Sequence, residues 1–186
     1  RFYEDSGMLL GKVDIEEYRR NSKQDDERRY LFFKNLIQNK NLLDFGCGAG
    51  GFLNMAKDHC NSVCGVELDK KISEYLKTVE KIKVYNSIDD LDKTFDVITI
   101  FHVLEHLMEP INMLKKISKN LDNDGEIIVE VPSSNDSLLT LYENKAFAKF
   151  TYWSCHLFLF NEKTLRDLAM KAGLKVNYIK QIQRYP

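Results

Sequence analysis

The amino-acid sequence predicts an α/β protein with a doubly wound, mostly parallel sheet and helices on both of its faces. Short apolar runs alternate with segments of helical periodicity, which is the pattern of βαβ units. A glycine-rich loop directly follows the first apolar run. Residues 95–103 form the most apolar stretch, as expected for a central strand that is buried on both faces. These three observations favour an open sheet that binds a ligand at the carboxyl ends of its strands.

The elements are assigned in chain order from periodicity and from turn residues. Residues 14–38 are polar and charged, with apolar residues on one helical face towards the end, and they predict an N-terminal helical segment. Asn123, Asp124 and Gly125 indicate a turn, Asn161 a helix N-cap and Gly173 a helix stop. Strands are predicted at residues 42–45, 62–68, 82–85, 95–103, 126–131 and 174–182, and helices at residues 51–58, 70–81, 110–121 and 162–171.

The chain is predicted to be a single domain, because 186 residues suffice for one hydrophobic core but not for two independent ones. It comprises a helical preface (residues 1–41), a ligand-binding core (42–132), an insert over the substrate side (133–161) and a last helix and strand (162–186). The insert interrupts the alternation and is rich in aromatic residues, namely Tyr142, Phe147, Phe150, Tyr152, Trp153, Phe158 and Phe160.

Composition and charge disfavour nucleic-acid-binding, membrane-spanning and cysteine-based metal or disulfide classes of protein. The formal net charge of -1 provides no general attraction to phosphate backbones, so a small-molecule partner is favoured over nucleic acid. No apolar run approaches the roughly 18 residues of a membrane span, and residues 1–11 lack the apolar core of a signal peptide. We therefore expect a cytoplasmic protein with no membrane partner. The cysteines lack zinc-site and disulfide spacing and are expected to be free thiols: Cys47, Cys60, Cys64 and Cys155.

The glycine loop and two acids carry the main chemical information. Gly46, Gly48 and Gly50 allow the backbone to turn sharply and to approach a ligand closely. Their GxGxG spacing departs from the GxGxxG pattern of dinucleotide sites, and Asp44 suits a ligand with an ammonium group better than a pyrophosphate. Glu67 closes the second predicted strand, near the roughly 20-residue separation at which an acid meets ribose hydroxyls in nucleotide-binding folds.

Three segments occur in a characteristic order. They are Leu-Leu-Asp-Phe-Gly-Cys-Gly-Ala-Gly-Gly-Phe-Leu from Leu42, Gly-Val-Glu-Leu-Asp from Gly65, and Phe-Asp-Val-Ile-Thr-Ile-Phe-His-Val-Leu-Glu-His from Phe95. In this order they resemble the class I S-adenosylmethionine-dependent methyltransferases, over residues 42–182. The resemblance implies a Rossmann-like fold and S-adenosylmethionine as the cofactor. It also implies a seventh strand, for which no sequence remains before Pro186, so a truncated chain and an exposed sheet edge are expected and the oligomeric state is left open.

The resemblance also assigns residues to the cofactor. Asp44 is expected to contact its amino group, Gly46 and Gly48 to line its methionine part, and Glu67 to bind both ribose hydroxyls. In family members an acid after the third strand often accepts a hydrogen bond from the adenine amino group, but Ser87 stands at that position. Asp89, Asp90 or the backbone around Ile88 are the alternatives. The remaining residues of the predicted cofactor site are Cys47, Gly50, Leu68, Ser87, Ile88 and Phe101.

Three histidines fall in the predicted substrate region. His102, Glu105 and His106 match the HxxEH pattern of inverted zinc proteases, but that pattern needs a helix and this one starts at the end of a strand. Some methyltransferases that act on the terminal ribose of small RNAs bind a metal through Glu-x-x-Glu-His and a later histidine. His102 replaces the first of those acids, and we assign no metal ligand. His102 and His156 are candidate bases, whereas Glu105 and His106 are expected to cap the following helix.

The predicted function is methyl transfer to a hydroxyl of a small molecule. A positioned base can remove the hydroxyl proton while the enzyme aligns the acceptor. Residues 152–166 resemble a branch of these enzymes associated with sugars, so a sugar is the finer expectation. The alternatives are carbon or nitrogen methylation of a small metabolite, metal-assisted methylation of an RNA ribose, and a cofactor-binding domain without catalysis.

Overall fold

The computed structural model describes residues 14–182. The start of the predicted helical preface, the expectation about residues 1–11, and residues 183–186 lie outside this range. The chain divides into two compact units, which are described separately. The first comprises the described part of Arg1–Ile100 together with Asn120–Ile128, and the second comprises Phe101–Lys119 and the described part of Val129–Pro186.

The first unit is built on a sheet in the order β3-β2-β1-β4-β5. The strands are β1 Asn41–Phe45, β2 Ser62–Val66, β3 Lys83–Tyr85, β4 Phe95–Phe101 and β5 Leu121–Glu130, of which the last two continue into the second unit. The pairs β1/β2, β1/β4 and β2/β3 are parallel. The chain runs outward from β1 to β3 and then returns to β4 on the other side of β1. The carboxyl ends of β1 and β4 therefore form the switch point at which such sheets bind ligands.

Three helices complete the first unit, α1 Ile15–Ile37, α2 Gly51–Ala56 and α3 Lys70–Thr78. Asp14 caps α1 by accepting a hydrogen bond from the Glu17 amide at 2.9 Å. The buried residues of α1 are Asp26, Arg29, Phe33 and Ile37, so its inner face is apolar at one end and charged towards the other. The largest fully buried side chains of this unit include Ile37, Leu42, Leu43, Phe52, Leu53, Leu76 and Ile98.

The second unit is mainly helical. It contains a 3₁₀ turn at Leu104–His106 and the helices α4 Pro110–Ile117, α5 Ser137–Thr140, α6 Lys145–Thr151 and α7 Glu162–Lys171. Helix α4 packs against α7. A capping box between Asn161 and Thr164 starts α7. Gly173 ends it with a φ of 84°, and the Leu174 amide reaches back to the Ala169 carbonyl at 3.0 Å.

The predicted α/β fold with a mostly parallel sheet is confirmed, but two details are wrong. The turn expected at residues 123–125 lies inside β5, which begins at Leu121, because pairing with a neighbouring strand overrides a local turn preference. Residues 174–182, expected to be a sixth strand, form no strand. Their alternating apolar pattern permits a half-buried extended chain, but a strand also requires a partner with which to form a ladder. Among residues 14–182, none of the helices combines the length and the apolar character that a bilayer span requires.

Candidate active site

The glycine loop in the first unit is held by backbone contacts. It connects β1 to α2, and the amides of Gly46 and Cys47 both donate to the Val66 carbonyl, at 2.8 and 3.1 Å. Gly48 and Gly50 have φ angles of 51° and 72°, in the left-handed region that side chains disfavour. A Cβ at Gly48 would lie 2.6 Å from the Tyr18 hydroxyl oxygen. Both the conformation and the space therefore require glycine at this position.

Glu67 lies against this loop, directly after β2. One carboxylate oxygen accepts the Gly48 amide at 2.9 Å and the other accepts the Asp69 amide at 2.8 Å. The Glu67 carbonyl accepts the Asn86 side-chain amide at 2.9 Å, which fixes the residue from the β3 side. Burial raises the pKa of the Glu67 carboxyl, and the two backbone amides oppose this shift. The structure thus brings together the loop and the acid that were predicted to act together.

Asp44, near the end of β1, is a buried acid with a polar neighbour. Its register partner on β4 is Thr99, whose hydroxyl is 2.7 Å from the Asp44 Oδ1 atom and donates to it. Asp44 is only 3% exposed. Burial raises its pKa to about 7, although the Thr99 hydrogen bond and the charge of Arg29 oppose the shift. An ionised carboxylate at this position therefore favours a cationic ligand group.

The contribution of α1 to this site was not predicted from the sequence. Tyr18 lies against Gly48, and burial and the Glu67 charge raise the pKa of its phenol. Asp26 lies against Gly51 at the start of α2, accepts the Ser22 hydroxyl at 2.8 Å and pairs with Arg29 at 3.7 Å. These side chains recur at helical spacing and continue the apolar stripe of Phe33 and Ile37. This helical spacing is the sequence signal from which their position could have been predicted.

The other predicted cofactor residues of the first unit differ in exposure. Ser87 caps a short 3₁₀ turn at Ile88–Asp90, where Ile88 is buried and Asp89 and Asp90 are exposed. Leu68 follows Glu67 and is 44% exposed. Burial raises the pKa of the Cys47 thiol, with a further contribution from the Asp44 charge, so this thiol is protonated at neutral pH. Phe101, the last residue of β4, is buried and belongs to the second unit.

In the second unit, His102 follows β4 in a strained conformation. Its φ of 54° lies in the left-handed region, which non-glycine residues seldom adopt. The His102 amide donates to the Glu130 carbonyl at 2.8 Å. Its ring lies between two carboxylates, with Nδ1 3.1 Å from a Glu105 oxygen and Nε2 3.2 Å from a Glu130 oxygen. A protonated imidazole would therefore be stabilised on both sides.

His106 and His156 meet in the same unit. Their ring centroids are 4.9 Å apart. Each Nδ1 atom lies beside a backbone carbonyl, that of Cys155 at 2.8 Å for His106 and that of Thr151 at 2.7 Å for His156. The pKa of His106 is lowered by burial, although the Cys155 carbonyl and the Glu105 charge oppose this. The aromatic insert is therefore folded onto the 3₁₀ turn of residues 104–106.

The expectation that Glu105 and His106 cap the following helix is wrong. Helix α4 begins at Pro110 after Glu109, with no hydrogen bond from a capping side chain. Glu105 is fully buried, and its backbone carbonyl accepts the amides of Leu157 and Phe158 at 2.8 and 3.2 Å. The two residues hold the aromatic insert instead. Proline at the first helical position needs no amide partner, which explains why this helix starts without such a cap.

Comparison with known proteins identifies the family. Residues 15–179 match the family described as a methyltransferase domain. The chain belongs to this family. This methyltransferase domain is 30% identical over 104 residues to the tRNA U34 carboxymethyltransferase of Nautilia profundicola, covering 50% of the chain and 35% of that protein. It is 22% identical over 116 residues to a ubiquinone biosynthesis O-methyltransferase of Coxiella burnetii, covering 58% of the chain and 50% of the relative. The chain thus spans half or less of these curated relatives.

A solved structure supports the fold of the methyltransferase domain. The magnesium protoporphyrin IX methyltransferase of Synechocystis PCC 6803, with bound S-adenosylhomocysteine, superposes with a TM-score of 0.65 at 14% identity. The match covers 92% of this chain and 86% of the other. The predicted class, a class I S-adenosylmethionine-dependent methyltransferase domain with a Rossmann-like fold, is confirmed. The predicted roles of single residues remain predictions.

Proposed function

We propose that this methyltransferase domain binds S-adenosylmethionine in its first unit and methylates a hydroxyl of a small molecule. The observation that carries the cofactor assignment is the Glu67 carboxylate, held against the backbone of the glycine loop. Each of its oxygens accepts one backbone amide and has further lone pairs for ribose hydroxyls. The buried Asp44 carboxyl suits the ammonium group of the cofactor. The two carboxyl groups therefore fit the ribose and the ammonium group of the cofactor.

The loop around Gly48 is expected to pass close to the methionine part of the cofactor, with Tyr18 covering the loop from the side of α1. Gly46, Cys47 and Gly50 belong to the same loop. The sequence resemblance adds Leu68, Ser87 and Ile88 of the first unit to this proposal, and it also names Phe101, the first residue of the second unit. When bound, S-adenosylmethionine supplies an activated methyl group. The protein must then align the acceptor and remove its proton.

His102 is the proposed base for a hydroxyl acceptor. A base that takes up a proton becomes a cation, and the carboxylates of Glu105 and Glu130 lie 3.1 and 3.2 Å from the two ring nitrogens. The buried Glu105 would fix the ring through Nδ1 and stabilise that cation, and the acceptor hydroxyl would approach Nε2 in place of the more exposed Glu130 carboxylate. His156, the second candidate from the sequence, lies beside His106 with its Nδ1 atom on the Thr151 carbonyl. The insert that carries His156 also offers exposed aromatic faces, including Tyr152 and Trp153, which suit stacking on a sugar.

Turnover tests this proposal. We expect the protein to convert S-adenosylmethionine into S-adenosylhomocysteine with a small hydroxylated acceptor from a panel of phenols, diols and sugars. His102→Asn should lower this turnover by about 10² to 10⁴, the usual range for loss of a general base. Asparagine tolerates the left-handed backbone at this position, so the local fold should persist. S-adenosylhomocysteine affinity should stay unchanged, and His59→Ala, a change in the first unit, serves as the control.

If the His102→Asn variant keeps its turnover from pH 6 to 9, the base assignment is wrong. Carbon or nitrogen methylation would then be the better interpretation, since such acceptors can need less proton removal. If S-adenosylhomocysteine binds but no acceptor class supports turnover, the proposed hydroxyl acceptor is wrong.

A further inference from the structure

We propose that Glu105, His106 and His156 form a binding site for a transition-metal ion of the zinc type. One ligand atom from each residue lies within 4.8 Å of the other two. Ligand atoms at about 2.1 Å from one tetrahedral ion are about 3.4 Å apart, so closure requires a contraction of at most about 1.4 Å. Small side-chain rotations suffice for this. All three residues belong to the second unit.

The two imidazoles are oriented as in metal-binding histidines. A backbone carbonyl can only accept a hydrogen bond, so Nδ1 of His106 and of His156 carries the proton towards Cys155 and Thr151, respectively. In the neutral ring, Nε2 is then the nitrogen that holds a lone pair. A hydrogen bond from the other ring nitrogen to a carbonyl is the usual way in which proteins fix the tautomer and orientation of a metal ligand. Here the same arrangement occurs on two rings that are in contact.

Glu105 supplies an independent observation. It is 0% exposed, and its Oε2 atom is buried without a hydrogen-bond partner among the described residues. Leaving a buried carboxylate oxygen without a donor or a cation is strongly unfavourable. The other oxygen, Oε1, lies 3.1 Å from Nδ1 of His102, so the carboxylate is already oriented. A cation bound at Oε2 would satisfy the remaining oxygen.

The donor set selects the class of metal. Two imidazole nitrogens and one carboxylate oxygen suit zinc and similar transition metals, whereas magnesium and calcium prefer sites built entirely from oxygen. Three protein ligands leave at least one position for an oxygen ligand such as water or a hydroxyl. His156 is then a ligand and not a base. Binding of the substrate hydroxyl at this open position rests on the proposed function, whereas metal binding itself does not.

Metal titration of the chelator-treated full chain tests the inference. We expect one equivalent of Zn²⁺ to bind, and Mg²⁺ to bind at least about tenfold more weakly. Glu105→Gln, which preserves the shape of the side chain, and His156→Ala should each weaken Zn²⁺ binding at least about tenfold. His59→Ala should not, because His59 lies in the first unit beside Tyr30. Cys155→Ser should not either, because Cys155 contributes its backbone carbonyl.

Three further measurements separate the outcomes. Circular dichroism shows whether each variant is folded. Glu105→Gln and His156→Ala change different ligands, so one of them still tests the metal site if the other does not fold. A Co²⁺ spectrum without thiolate charge transfer is expected, and a thiolate band that disappears in Cys155→Ser would overturn the ligand set. Absence of stoichiometric Zn²⁺ binding would overturn the proposed metal site. Equal Zn²⁺ affinity in the ligand variants (Glu105→Gln and His156→Ala) and the control variants would overturn it as well. S-adenosylhomocysteine titrated in parallel shows whether the cofactor proposal survives such a failure.

Discussion

At the scale of single residues, the proposed sites depend on carboxyl groups whose surroundings are unusual for a charged group. Asp44 is buried at the end of β1, and its pKa is raised to about 7 by burial. Glu67 is fixed by two backbone amides and presents its carboxylate to the glycine loop. Glu105 has one buried oxygen without a hydrogen-bond partner among the described residues. A different ligand group is therefore proposed for each acid: an ammonium, a pair of hydroxyls and a metal ion.

The Asp44 carboxyl predicts a pH-dependent cofactor affinity. The unfolded pKa of an aspartate is about 3.9, and that of folded Asp44 is about 7. Burial of Asp44 therefore costs no stability below the unfolded pKa, and its cost grows as the pH rises through the folded pKa. Below about pH 7 the Asp44 carboxyl is mostly protonated, so it must lose its proton before it can pair with an ammonium group. S-adenosylhomocysteine affinity should therefore fall as the pH falls from 8 to 5.5.

Calorimetric titrations across this pH range, with wild type and Asp44→Asn, check the prediction. The variant should bind more weakly at pH 8 and show a much smaller pH dependence. Its amide can still accept the Thr99 hydroxyl, so the local packing should be kept. A wild-type affinity that is flat across this range would remove Asp44 from the proposed ammonium site.

At the scale of elements, α1 and the glycine loop fit each other closely. Gly48 combines a left-handed backbone with the Tyr18 hydroxyl 2.6 Å from the position of a Cβ, whereas Gly173 has a φ of 84° but nothing within 4 Å of that position. Gly48→Ala should therefore cost the left-handed penalty of about 1–2 kcal/mol and a further steric cost of about 1–3 kcal/mol. Gly173→Ala should cost the left-handed penalty alone.

Equilibrium urea unfolding of the two variants measures this difference. Adding Tyr18→Phe to Gly48→Ala should recover part of the loss, because the hydroxyl oxygen is the nearest atom to the new methyl group. Equal free energies of unfolding for Gly48→Ala and Gly173→Ala, with no recovery from Tyr18→Phe, would show that α1 does not restrict the loop.

The helices and strands were predictable from local patterns to different degrees. Strand β4 was identified by its apolar character, and α7 by its N-cap Asn161 and stop Gly173, since each of these depends on neighbouring residues in the sequence. Residues 174–182 were predicted wrongly because strand formation depends on a pairing partner elsewhere in the chain. The role of Tyr18 was missed because its contact with Gly48 is a tertiary one.

At the scale of the whole molecule, topology explains why the proposed cofactor residues converge. The strand order places the ends of β1 and β2 side by side, and Asp44 and Glu67 lie at those ends. The ordered motifs therefore predicted this part of the site without a structure. In the second unit, the sequence indicated that His102, His106 and His156 belong to one functional region. The carbonyl partners of His106 and His156 could not be predicted, since they depend on the fold of the insert.

Titration of S-adenosylhomocysteine into wild type, Glu67→Ala and Asp89→Ala tests whether Glu67 binds the ribose of the cofactor. Wild type should bind, and Glu67→Ala should lose about 1.5–3 kcal/mol for each charge-assisted hydrogen bond to the ribose. Asp89 is exposed, and Asp89→Ala should change the binding free energy by less than about 0.5 kcal/mol. Glu67→Gln, which keeps an acceptor for the loop amide, controls for loss of loop structure and should still bind more weakly than wild type. No binding to wild type at millimolar concentration would contradict the cofactor assignment, and equal losses in Glu67→Ala and Asp89→Ala would contradict the role of Glu67.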